Sequence, residues 1–197
     1  MKRKVPLLFL LGCALILVSM GLGLFFGIRI YLGNKHGTEA ISQLEALLPE
    51  RTSALPELYP EGGMPVLQVE GVDYVAILEI PSYSLKLPIA DQWDSKKINA
   101  CPARFWGSAY GEPLVIGGSD SSVQFSFCDE IEHGTLITLT DMTGAQFDYT
   151  VCHIDRAKHA ETQWLTDDDY DLTLFCHDTG NMEYIAVRCD YTYTLEP

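Results

Sequence analysis

With 197 residues, 47% of them hydrophobic, the chain has room for one membrane anchor and one compact domain with its own core. All 27 acidic residues follow residue 38, whereas Lys2, Arg3, Lys4 and Arg29 account for four of the 13 basic ones. The part beyond the anchor thus carries nine basic against 27 acidic residues, a field that repels anionic lipid and nucleic acid phosphates and excludes nucleic acid as a partner.

After Lys2-Arg3-Lys4, Val5 to Ile28 form 24 residues without a charge. At about 1.5 Å per residue, a helix of that length crosses a hydrocarbon layer of roughly 30 Å. The run is longer than the apolar part of a signal peptide and ends without a small-residue cleavage pattern, so residues 1–32 are expected to be a cytoplasmic basic tip and an uncleaved transmembrane anchor. The basic tip orients a single-pass protein of the plasma membrane, with the amino terminus inside and the acidic domain extracellular.

Residues 33–68 read as a short helix and a linker. Thr38 is placed to cap a helix in which Ile41, Leu44, Leu47 and Leu48 share one face. Pro49, Pro56, Pro60, Pro65 and Gly62-Gly63 then break regular structure.

From Val69 to Pro197 the period changes from 3.6 to 2. The run "VDYVAILEIP" is dense in β-branched and aromatic residues, and "PLVIGG" is a short apolar strand stopped by glycines. "GTLITLTDMTGAQFDYTVCHID" reads as two strands around a Thr143-Gly144 turn, the second with Ala145, Phe147, Tyr149 and Val151 on its buried face. "YDLTLFC" and "YIAVRCD" are two further strands, and the pattern as a whole predicts an all-β sandwich or barrel.

Four segments in this order behind a membrane anchor, "YVAILEIPSYSLKLPI", "LVIGGSD", "YDLTLFC" and "YIAVRCD", resemble the sortases of Gram-positive bacteria. The resemblance spans roughly residues 70 to 190 and implies an eight-stranded β-barrel. It also implies a surface enzyme that uses a cysteine to cut a sorting motif near the carboxyl end of a secreted protein and joins it to an amine on the cell wall or a pilin. Fold alone does not give that activity.

The positions that match the family's site depart from its pattern. Ser119 follows Gly117-Gly118 where the family places a histidine, and a serine hydroxyl does not titrate near neutral pH. Tyr184 opens the last strand where the family has an oxyanion-steadying arginine, and a phenol donates a weaker bond than a guanidinium fork. Arg188 lies on the same face of that strand, but roughly 13 Å further along it.

"TLFCH" aligns with the family's Thr-Leu-any-Thr-Cys in two registers. With one residue deleted, Cys176 is the nucleophile; with none deleted, Cys176 takes the threonine position and His177 that of the nucleophile. The two residues point to opposite faces of the strand. The gap-free register implies a degenerate sortase that binds the peptide tail of a surface protein or pilin without transpeptidation. The other implies an active cysteine transpeptidase in which His177, His133, His153 or His159 serves as a displaced base for Cys176.

Five cysteines, Cys101, Cys128, Cys152, Cys176 and Cys189, lie beyond the span, in an oxidising compartment. They allow two disulfides and one free thiol, or burial as inert thiols, and the pairing does not follow from spacing. "DDDYD" offers Asp167, Asp168 and Asp169 as carboxylate ligands, and some sortases bind calcium through acidic loops near the groove. A solvated acidic turn is the alternative, and no other cofactor is expected.

Overall fold

The structure, a computed structural model, describes residues 7–49, 52–53 and 63–192. The basic tip Lys2-Arg3-Lys4 and the linker residues Pro56, Pro60 and Gly62 lie outside the described residues.

Helix α1, Leu7–Leu47, is continuous over 41 residues. It contains no proline, and it ends where Leu48 precedes Pro49, because proline disfavours the helical region for the residue before it. The separate short helix expected after Thr38 is therefore the last part of α1; Thr38 is an interior residue whose carbonyl accepts the Ser42 hydroxyl at 3.0 Å. Among the described residues no helix is long and apolar enough to cross a membrane.

Two short strands, β1 (Thr52–Ser53) and β2 (Leu67–Val69), precede the barrel, so pairing begins inside the expected linker. The barrel strands are β3 (Val72–Ile80), β4 (Leu85–Ala90), β5 (Ala103–Ser108), β6 (Glu112–Gly117), β7 (Leu136–Asp141), β8 (Ala145–Ala157), β9 (Leu172–Asp178) and β10 (Glu183–Tyr191). They pair in the order β3-β4-β5-β6-β9-β10-β8-β7, and β7 returns to β3, so eight strands close on themselves. The β4–β5 and β6–β9 pairings are parallel; the others in the ring are antiparallel. Closure removes the unpaired edges of an open sheet.

Alternation fills the interior. Ile116 on β6, Phe147, Tyr149 and Val151 on β8, Leu172 and Leu174 on β9 and Ile185, Val187 and Cys189 on β10 all enter one core. A second cluster forms where Ala40 and Leu44 of α1 and the following Leu48 pack on Val69, Tyr74, Ile77 and Met142.

Candidate functional site

β9 lies between β6 and β10, with Gly117 opposite Phe175 on one side and Tyr184 opposite His177 on the other. Leu172, Leu174 and Cys176 belong to the interior core, and Cys176 is 1% exposed. Phe175 belongs instead to a cluster on the outer face, with Val115, Leu165 and Ala186, against which Trp93, Phe105, Trp164 and Tyr184 pack. His177 falls on that outer face, its ring edge-on to Tyr184 with 4.7 Å between centroids. The terminal outer-face position of β9 is thus occupied by an imidazole, and the thiol one residue earlier points inward.

The Cys176 thiol donates to the Phe125 carbonyl at 3.7 Å and meets the Cys128 thiol, not a histidine. His133 and His153 face each other at 6.3 Å, and His153 Nε2 lies 3.1 Å from Asp155 Oδ1, on β8. Of the histidines considered as displaced bases, His133 and His153 engage each other and Asp155, His177 lies on the other face of β9, and His159 lies exposed beyond the end of β8.

Ser119 follows the end of β6. Its amide donates to Gln124 Oε1 at 3.0 Å, and its hydroxyl shares a hydrogen bond with Ser121 at 3.1 Å. Beside it, Asp120 Oδ2 accepts the amide and the hydroxyl of Thr179, both at 3.3 Å, tying the β6 exit to the β9–β10 turn.

Arg188 sits fully buried and is consumed by structure. Its Nε pairs with Asp155 at 3.1 Å, Nη1 donates to the Leu165 carbonyl and the Thr173 hydroxyl, and Nη2 donates to the Trp164 carbonyl. The guanidinium also lies 5.1 Å from the Trp164 ring centre and 5.3 Å from that of Tyr170. It pins the short helix α2 (Thr162–Leu165) against the outer face, and it is paired with Thr173 at the opposite end of β9 from His177.

An aromatic floor that the sequence did not single out completes the site. Trp93, Phe105 and Phe175 form a triangle with centroid distances of 5.6, 5.3 and 5.5 Å. Gly117 is required beneath it, because a Cβ there would lie 2.1 Å from the Trp93 ring and 2.7 Å from Phe175. Gly118 faces Phe125 in the same way, at 2.5 Å. Trp93 and Phe105 also line an open cleft of about 430 Å³ with Arg104 and Trp106. Trp93 lies in a segment without hydrophobic periodicity, so nothing in the pattern signalled its role.

All six cysteines are free thiols. Burial pushes the Cys101 thiol up to about 12, and burial with the neighbouring Asp190 pushes Cys152 up to about 11. Burial also raises Cys128 and Cys189 well above the ordinary range. Asp167, Asp168 and Asp169 bring one carboxylate oxygen each within 4.8 Å of one another. Asp167 also accepts the Asp169 amide at 3.2 Å.

No protein-family model matches the sequence, and no curated protein does. Solved structures do match. Sortase C from Clostridium perfringens SM101 is 24% identical with a TM-score of 0.54, over 61% of this chain and 71% of that one. The same organism's sortase C with the C-terminal cell wall sorting motif is 24% identical at a TM-score of 0.52, over 59% and 69%. Sortase A from Corynebacterium diphtheriae is 18% identical at 0.56, over 86% and 94%. The chain has the sortase fold, an eight-stranded barrel with few short helices.

Proposed function

We propose that the protein is a degenerate sortase, held at the outer face of the plasma membrane, whose site binds the peptide tail of a secreted surface protein or pilin without forming a thioacyl bond. One observation carries the reading: His177 stands at the outer-face end of β9, while Cys176 is buried in the core behind it. Attack on a carbonyl needs an accessible thiolate beside a base or cation. Cys176 instead faces a carbonyl and a second thiol, and Arg188, toward the other end of β9, is spent on structural partners.

The aromatic floor and the adjoining cleft supply the apolar area that a peptide-binding surface requires, with His177, Tyr184 and Ser119 as polar groups at one end. The sortase C structure that holds a sorting motif lends the same class of ligand to this reading. The anchor is supported by α1, whose side chains Leu11, Leu15, Ile16, Leu17, Met20 and Phe25 are spread around most of the helix and stay exposed.

Fluorescence polarisation with fluorescein-labelled sorting-motif peptides, followed by mass spectrometry of the same samples, tests the proposal. Saturable binding without a mass adduct is expected, and Tyr184→Ala weakens it tenfold or more, about 1.4 kcal/mol. A thioacyl adduct on Cys176 overturns the reading in favour of an active transpeptidase.

A further inference from the structure

Cys128 lies in a 3-10 turn, Ser126–Asp129, on the connection from β6 to β7. Cα atoms of this turn come within 8 Å of β9 and β10. The Phe125 carbonyl accepts both the Cys128 amide at 3.1 Å and the Cys176 thiol at 3.7 Å, so both residues converge on one atom. The two thiols are neighbours, and both side chains are buried in the same barrel core. The other cysteines of the domain turn elsewhere: Cys101 to the Pro88 and Pro102 carbonyls, Cys152 to the Arg188 carbonyl and Cys189 to the Val187 carbonyl.

We propose that Cys128 and Cys176 are joined by a disulfide when the chain matures in an oxidising space, a covalent strut that fixes the β6–β7 connection to the end of β9. The inference rests on the extracellular placement proposed above. It gives the buried thiol of Cys176 a structural use in place of nucleophilic attack. Disulfides join Cα atoms about 4.4–6.8 Å apart, and neighbouring thiols on segments this close need side-chain rotation rather than strand movement.

The oxidant is a small disulfide, RSSR. One cysteine thiolate attacks it, releasing RSH and leaving a mixed disulfide; the second thiolate displaces the other RS group. One S–S bond forms between the two Sγ atoms, the RS–SR bond breaks, and the two thiol protons leave with two RSH. Both cysteines are oxidised and RSSR is reduced. Because both thiols are closed off in the folded barrel, the exchange belongs to folding, before β9 and the turn are sealed together.

The strut holds both walls of the site. The β6–β7 connection carries Ser119 and Asp120, and the end of β9 carries His177.

The test uses the full-length chain in detergent, unfolded in guanidinium and refolded in a buffer of oxidised and reduced glutathione. Free thiols are then trapped with N-ethylmaleimide and the peptides mapped. The Cys128 and Cys176 peptides are expected to be recovered joined, and reduction is expected to lower the melting temperature by about 10 °C. Cys128→Ser and Cys176→Ser each abolish that difference. Recovery of both residues alkylated, or of Cys176 joined to Cys152 or Cys189, overturns the proposal. Should either variant fail to fold, the wild-type map decides alone. A pair that links in glutathione but is reduced when trapped directly from cells keeps the strut and removes the extracellular placement.

Discussion

A fully buried guanidinium has to be matched donor by donor, and Arg188 is matched by Asp155, the Trp164 and Leu165 carbonyls and the Thr173 hydroxyl. This set makes it a clamp on α2 rather than a charge offered to a substrate. Removing one partner of a buried ion pair typically costs about 3–5 kcal/mol, since the other partner is left uncompensated. Arg188→Met is therefore expected to lower the unfolding free energy by about that amount in guanidinium chloride titrations. An arginine poised for an oxyanion would lower activity and leave stability nearly intact, so an unchanged midpoint would return Arg188 to the site. Alternation in "YIAVRC" placed Tyr184, Ala186 and Arg188 on one face, and the pairing of these three with His177, Phe175 and Thr173 bears that out. The partners of Arg188 were not legible, because Asp155, Trp164 and Leu165 come from distant segments joined only by the fold.

At the scale of elements, the alternating or apolar runs that became β3, β6, β7, β8, β9 and β10 were readable from the sequence. β4 and β5 were not. Pro88 sits inside β4, and β5 is broken by register shifts on either side of Trp106 and by Gly107 at φ +73. The β9–β10 turn sets His177 against Tyr184, and one carboxylate organises it. Asp178 Oδ1 accepts the Gly180 and Asn181 amides at 2.8 and 3.2 Å, and Oδ2 accepts the Asn181 side chain at 2.7 Å. The Asn181 bonds, first of all, hold the Asp178 carboxyl below the usual carboxylate range. A group whose folded pKa is depressed stabilises the fold above its unfolded pKa, about 3.9, and that contribution is lost as pH falls through the lower folded value. The Asn181 side-chain amide resonances are thus expected to stay constant above about pH 5 and to shift on acidification below about pH 4. In Asp178→Asn the acid shift disappears; its persistence would place the titration elsewhere.

For the molecule as a whole, the question is whether the barrel and α1 move as one body. Over 41 residues α1 measures about 60 Å, and its last turns, with the residue that follows, seat Ala40, Leu44 and Leu48 on Val69, Tyr74, Ile77 and Met142. Lys86 reinforces the seat, bridging Glu45 of the helix and Glu79 of β3, the latter at 3.2 Å. The helical period marked this face only in part: Leu44 is completely buried, but Leu47 is 62% exposed and Ala40 takes its place. Because β3 closes the barrel through β4 and β7 without α1, the seat and the barrel are separate layers of packing. Leu44→Ala is expected to cost about 2–5 kcal/mol, charged to the seat. Hydrogen exchange should then show residues 40–48 losing protection while the amides of β8, β9 and β10 keep theirs. A uniform loss across the barrel would instead make α1 part of one cooperative unit, with the helix setting the stability of the site itself.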